Sequence, residues 1–208
     1  MRSNSPTKTF SKWIIGIALL VIGGVALLGW NYYQNRYPSW DEEVRLSDGR
    51  IITIQQKREV FDNYGTNQSW VTIDLPELGG KQVWHSYLMP QRVDVVDGKV
   101  YVFGRLRGPR QISYYRYPKN HMVAFKWQNA EFQRIPFLQL PALLRVEENI
   151  YPCIPMKTNA KLTEATKDRQ WCPASGDNKQ FVRQINLPEY QKLAIEFAKL
   201  DGGLPISE

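Results

Sequence analysis

Residues 93–103 read VDVVDGKVYVF. Asp97-Gly98 is a two-residue turn signal of the type I′ class, which needs positive φ at both positions and joins adjacent antiparallel strands. Such a turn also sets the register. Val95 then faces Val100 and Val93 faces Val102, so four valines share one face. Asp94, Val96, Lys99 and Tyr101 share the other. The pattern predicts a sheet with one core face and one partly wet face.

Working outward, Asp48-Gly49 repeats the signal between VRLS and RIITI and places Leu46 opposite Ile51. Trp70–Leu75, Gln82–Tyr87, Ile112–Tyr117, Met122–Trp127 and Phe132–Ile135 read as further strands, the last two joined through Gln128-Asn129-Ala130. Short strands at this spacing predict a mainly β fold, an antiparallel β-sandwich or small barrel-like domain. Residues 93–136 have the look of one propeller blade, but the sequence carries no second copy. A C-terminal α-helix closes the chain. Asn186 caps it, Pro188 suits its first turn, and Tyr190, Leu193, Ala194, Phe197 and Leu200 form an apolar stripe that ends at Gly202-Gly203.

Towards the N-terminus, WIIGIALLVIGGVALLGW (13–30) runs 18 residues without a charge. About 20 apolar residues span a bilayer, and Trp13 at one end with Trp30, Tyr32 and Tyr33 at the other match the aromatic belts of a membrane helix. The segment is longer than a signal-peptide core and bulky residues follow it, so an uncleaved anchor is expected. The reading is a cytoplasmic tail (1–12), a transmembrane helix (13–33), a linker (34–43) and a β-rich outer domain (44–208). Arg2, Lys8 and Lys12 in the acid-free tail favour an N-terminus on the cytoplasmic side.

The chain carries +7, with 27 basic and 20 acidic residues. Three of the positives lie in the tail and all the acids lie beyond residue 40, which leaves the outer region at only +4. That balance points to anionic headgroups or glycans rather than nucleic acid. Cys153 and Cys172 are the two cysteines, both on the outer side, and an oxidising compartment favours a disulfide between them. The segment between them reads as a long polar loop. With only His85 and His121 as other soft ligands, no metal-binding spacing exists.

The opening WDEEVRLSDGR (40–50), together with VDVVDGKVYVFG and the later FQRIPF (132–137), resembles a set of uncharacterised proteobacterial single-span envelope proteins that open W-x-E-E-V-x-L-x-D-G-R. The resemblance implies a bacterial inner-membrane or periplasmic setting. It carries no activity and no functional residues.

Among the constellations that bear chemistry, Arg105, Arg107 and Arg110 in GRLRGPR precede Tyr114-Tyr115-Arg116-Tyr117. Interleaved guanidinium and aromatic groups grip an anion while stacking on a ring, which makes this the candidate ligand or partner surface. Asp41-Glu42-Glu43 reads as a solvated acidic lead-in to the first strand. Trp84-His85-Ser86 sets a histidine beside a serine, but neighbours on a strand face opposite ways. No catalytic, cofactor or metal motif is present. The expected function is therefore a membrane-anchored periplasmic binding or scaffolding protein. Its partners would be the lipid bilayer and other envelope proteins or anionic glycan and lipid headgroups. An envelope hydrolase or transferase and a ligand sensor are the alternatives.

Overall fold

The computed structural model describes residues 7–60, 66–156, 158, 160–170, 172 and 183–207. The chain divides at Tyr37/Pro38 into two compact units. The first is a helix, α1 (Thr7–Arg36). From Ile15 to Arg36 it is long and apolar enough to cross a membrane, and none of it is buried. At about 1.5 Å per residue this stretch is roughly 33 Å long, the thickness of a bilayer core. Leu20, Leu27 and Leu28 are more than two-thirds exposed. An exposed apolar surface of that size marks a site of contact with a membrane or a partner. The helix is thus compatible with a single-pass anchor or a signal sequence. Trp30, Tyr32 and Tyr33 lie exposed near its end, while the Trp13 side chain and residues 1–6 of the expected tail lie outside the described residues.

The second unit is built on two four-stranded antiparallel sheets. Strands β1 (Ser39–Arg45), β2 (Ile51–Val60), β3 (Thr66–Leu75) and β4 (Gly80–Ser86) form the first in sequential order. Strands β5 (Met89–Val96), β6 (Lys99–Arg105), β7 (Met122–Gln128) and β8 (Glu131–Ile135) form the second in the same order. A blade-like meander therefore occurs twice in topology, although not in sequence. Val44, Ile54, Val71, Ile73 and Trp84 from one sheet pack with Val93, Val100, Val102 and Val123 from the other. Trp84 meets Phe125 edge-on across the layer, with ring centroids 5.7 Å apart. This is the expected sandwich.

The β5–β6 register is the expected one: Val93 pairs with Val102 and Val95 with Val100, around Asp97 (φ +50°) and Gly98 (φ +66°). The first hairpin differs by one residue. Leu46 N–H donates to Arg50 O, Gly49 N–H donates to Leu46 O, and Gly49 sits at φ +88°. This is a three-residue loop with a left-handed glycine rather than a two-residue turn. A one-residue slip reverses every facing. Ile51 accordingly pairs with Arg45 and is 47% exposed, while Ile52 pairs with Val44 and Ile54 turns inward.

Two further expectations are corrected. Residues 112–117 do not form a strand. Gly108-Pro109 starts a short helix, α2 (Pro109–Tyr114), because proline presets the first helical turn. That local signal outweighs the strand preference of Ile112 and the tyrosines. The outer face of the second sheet is partly wet at Val96, Lys99 and Tyr101, as expected, but one end of it is covered. Phe103, Met122 and Ala124 are covered by Phe137, Leu140, Leu144 and Tyr190. Asp94, expected on the wet side, is fully buried.

Tyr190 belongs to α4 (Leu187–Leu200), capped by Asn186 Oδ1 accepting from Glu189 N–H at 3.3 Å. Its inward stripe uses Ala198, whereas Leu200 is 80% exposed. Residues 39–43, read as part of the linker, are the first five of β1. The cystine loop, read as irregular, contains α3 (Glu164–Lys167). It also lays Leu162 alongside β1: Glu43 N–H donates to Leu162 O at 2.8 Å and Leu162 N–H to Asp41 O at 2.9 Å. That pairing covers an otherwise open sheet edge.

Candidate functional site

The Cys153–Cys172 disulfide is present, with Cα atoms 5.6 Å apart. It packs on Trp40, Tyr151 and Leu162. Strand alternation puts Trp40, Glu42 and Val44 on one face of β1, so the middle residue of the acidic triplet points inward. Glu42 is fully buried rather than solvated. Burial raises its carboxyl pKa, and the Lys167 ammonium 2.9 Å away opposes the rise. Lys167 also reaches Glu164 Oε1 at 2.8 Å and donates to Asn149 O at 2.5 Å. Glu42 further accepts from Tyr151 N–H at 2.7 Å and from Gln56. Next to it Arg58 is buried over the Trp40 ring, with its guanidinium on Gln56 Oε1. Burial pulls its pKa down to about 9. Glu42, Lys167 and Glu164 are spent on one another, and Arg58 on Gln56, Ser69 and the Trp40 ring. Their product is mechanical: they seat the cystine loop on the sheet.

A second buried set joins the two sheets. Asp94 accepts from Ser47 N–H and Oγ–H and pairs with Arg92 at 2.7 Å. Asn149 donates to Arg45 O and Val93 O. Between the two sets opens a cleft of about 750 Å³, lined among others by Glu43, Arg45, Arg92, Glu148, Glu164 and Arg183. Most of its charges are paired: Glu43 with Lys161 at 2.8 Å, Arg183 with Glu164 at 3.3 Å. Glu148 differs. Burial lifts its carboxyl to about 8, against the pull of Arg105, of the Gln91 hydrogen bond and of Arg107. No sequence signal announced Glu42, Glu148 or Lys167, because their environment is made by segments far apart in the chain.

The seven residues of the expected basic and aromatic surface fall into two groups. Three are committed to the fold. Arg105 donates to Tyr190 Oη at 3.0 Å and lies over that ring. Tyr115 is buried, its hydroxyl 2.6 Å from Ser86 Oγ. Tyr117 is half-buried and holds the C-terminal tail, accepting from Ile206 N–H at 3.1 Å. The other four, Arg107, Arg110, Tyr114 and Arg116, are exposed. Arg107 keeps its guanidinium against Met89 Sδ and Pro152 O. The exposed set gathers on and beside α2. Residues 98–130, which contain it, hold seven Lys and Arg and no acid.

The histidines stand apart. His85 is exposed, stacked on Trp70 at 4.7 Å and hydrogen-bonded to Gln68 at 2.6 Å. His121 is buried against Phe197, and burial pulls it down to about 4. Ser86 serves Tyr115, not His85. Among the described residues no three His, Cys, Asp or Glu side chains converge as metal ligands.

Comparison with family models, with curated proteins and with solved structures finds no match to this chain. The resemblance to the W-x-E-E-V-x-L-x-D-G-R proteins rests on the quoted residues alone.

Proposed function

We propose that this chain is a single-pass protein of the bacterial inner membrane whose β domain, in the periplasm, binds or scaffolds envelope components and performs no chemistry of its own. One observation carries the reading: an apolar helix that is unburied among the described residues, Ile15–Arg36, precedes a folded domain in the chain. The cystine supports the oxidising side of the membrane for that domain. The three basic residues of the tail support an N-terminus in the cytoplasm. The exposed arginines around α2 supply a face for anionic partners. The reading is tested by crosslinking in intact membranes. Full-length protein is expected to crosslink to envelope material, and Arg107→Ala/Arg110→Ala/Arg116→Ala to lose those adducts. A fragment beginning at residue 34 that restores full cellular activity overturns the anchored reading.

One observation favours a hydrolase as a second reading. Glu148, held protonated at neutral pH by burial, shares a cleft with Glu43, which the Lys161 hydrogen bond holds below the usual carboxylate range. Environments that push two carboxyls apart suit acid and base roles. Turnover of a glycan or ester by the wild type that Glu148→Gln abolishes supports it; inactivity on both classes removes it.

A further inference from the structure

The chemistry of the exposed surface around α2 narrows the ligand, and the argument rests on the binding reading above. Arg110 and Tyr114 stand one helical turn apart and so share a face of α2. Both are exposed, Tyr114 at 64%. Tyr87, just past β4, meets Tyr114 at 5.1 Å with an interplanar angle of 63°. Behind them Tyr115 abuts Tyr114 at 4.9 Å, and its peptide carbonyl accepts from Arg134 at 3.3 Å. The exposed ring is therefore backed by a buried one and held at a fixed attitude.

Arg116 is held as firmly. It and Tyr117 take φ values of +59° and +52°, a region that L side chains rarely adopt. Arg116 N–H donates to Ser113 O at 2.9 Å and Tyr117 N–H to Ile112 O at 2.9 Å. Gly203 closes on the Tyr117 ring so tightly that a Cβ there would lie 2.5 Å from it. The result is an exposed arginine on a rigid backbone corner. Strained backbone that the surroundings hold in place is a mark of ligand clamps.

The stretches that build this surface, residues 78–93 and 98–130, are basic, and neither contains an Asp or Glu. The acid beside them is Asp201, which accepts from Tyr117 Oη at 3.4 Å. The occupant is an anion with a face for rings to stack on. In residues 78–93 and 105–119 the exposed large apolar side chains are Val83, Tyr87 and Tyr114, and Leu204 is exposed next to the Gly203 that packs on Tyr117. A surface built to enter a lipid interface would offer several Leu, Phe or Trp side chains there. A sugar ring suits it better: its C–H face lies on a phenol ring, and its hydroxyls meet Tyr Oη and guanidinium. A carboxylate on that sugar pairs with arginine through two parallel hydrogen bonds. We propose that Tyr87, Tyr114, Arg110 and Arg116 bind an acidic glycan, a polysaccharide whose sugars bear carboxylates.

The test uses full-length protein in neutral detergent micelles, titrated with polygalacturonate, with dextran, and with micelles doped with phosphatidylglycerol. Polygalacturonate is expected to bind, and dextran at least tenfold more weakly. Arg110→Ala/Arg116→Ala and Tyr114→Ala should each weaken polygalacturonate at least tenfold, and Tyr114→Phe, which keeps the ring but not the hydroxyl, should weaken it less than Tyr114→Ala. Unchanged thermal midpoints establish that these exposed substitutions leave the fold intact. Absence of polygalacturonate binding by the wild type, or equal binding by Tyr114→Ala, overturns the inference. Response to phosphatidylglycerol alone overturns the glycan too, but leaves the anchored-binder reading standing. Crosslinks in membranes that survive the triple arginine substitution remove that reading as well.

Discussion

Lys167 Nζ lies 2.9 Å from Glu42 Oε1, and both side chains are wholly out of contact with solvent. The two residues are far apart in sequence, one on the first strand and one on the cystine loop. Removing one partner strands the other charge in the interior, which costs about 3–5 kcal/mol, whereas replacing both with apolar groups of similar volume is often neutral. Lys167→Ala should therefore lower the denaturation midpoint of the β domain sharply. Glu42→Leu/Lys167→Met should recover most of the loss. A double variant as unstable as the single one would show that the pair contributes more than mutual neutralisation.

Glu148 makes stability depend on pH. Its folded pKa, about 8, lies above the ordinary glutamate value of 4.5. Between those values the folded state keeps a proton that the unfolded state has lost, so stability falls as pH rises and levels off above about 8. The limiting slope is about 1.4 kcal/mol per pH unit for one group. Buried Glu42, also raised, acts with the same sign. His121, held near 4 rather than 6.5, works the other way below 6.5. The clear window is thus pH 6.5 to 8. Glu148→Gln should flatten the decline there and exceed wild-type stability at pH 8, as measured by chemical denaturation at both pH values.

At Gly104 the chain leaves no room for a side chain. A Cβ would stand 2.5 Å from Met89 O and 2.9 Å from Leu88 Cβ. Strands β5 and β6 approach closely there, next to the irregularity that skips Gln91. The obstacle is backbone, so no rotamer relieves it. Gly104→Ala should cost about 1–3 kcal/mol, the usual range for overpacking. A thermal midpoint within a degree of wild type would mean that the strand pair yields.

Which features could be read in advance follows from how local their causes are. The Asp97-Gly98 turn needs only two residues with positive φ, and its register came out as expected. Asp48-Gly49 carries the same letters, but Gly49 takes the left-handed position of a longer loop, and Ile51 moves from core to surface. The cap at Asn186 and the stop after Leu200 are equally local. Glu42 belongs to an acidic triplet that resembles a solvated run in the sequence; its partner, Lys167, is brought to it by a loop 125 residues further on. Arg105 and Tyr115 are neighbours of the exposed residues in sequence, whereas Tyr190 and Ser86, from other segments, draw them inward. Of the exposed part of that surface, Arg110 and Tyr114 keep the chemistry their sequence suggested on a helix instead of a strand, and Arg116 keeps it on the turn just past that helix.

The cystine should matter through the same loop. Cys153 and Cys172 are 19 residues apart, and closing a loop of that size removes about 3 kcal/mol of unfolded-state entropy in the chain model. Between them lie Leu162, which covers the β1 edge, and Lys167, which neutralises Glu42. Cys153→Ser/Cys172→Ser should therefore destabilise the domain by about 2–4 kcal/mol. It should also speed amide exchange at Glu43 and Leu162, whose N–H groups make the loop-to-edge bonds. If exchange at these two amides stays as slow as in the wild type while global stability falls, the bridge acts on the unfolded chain alone. Faster exchange shows that it also latches the loop against the sheet.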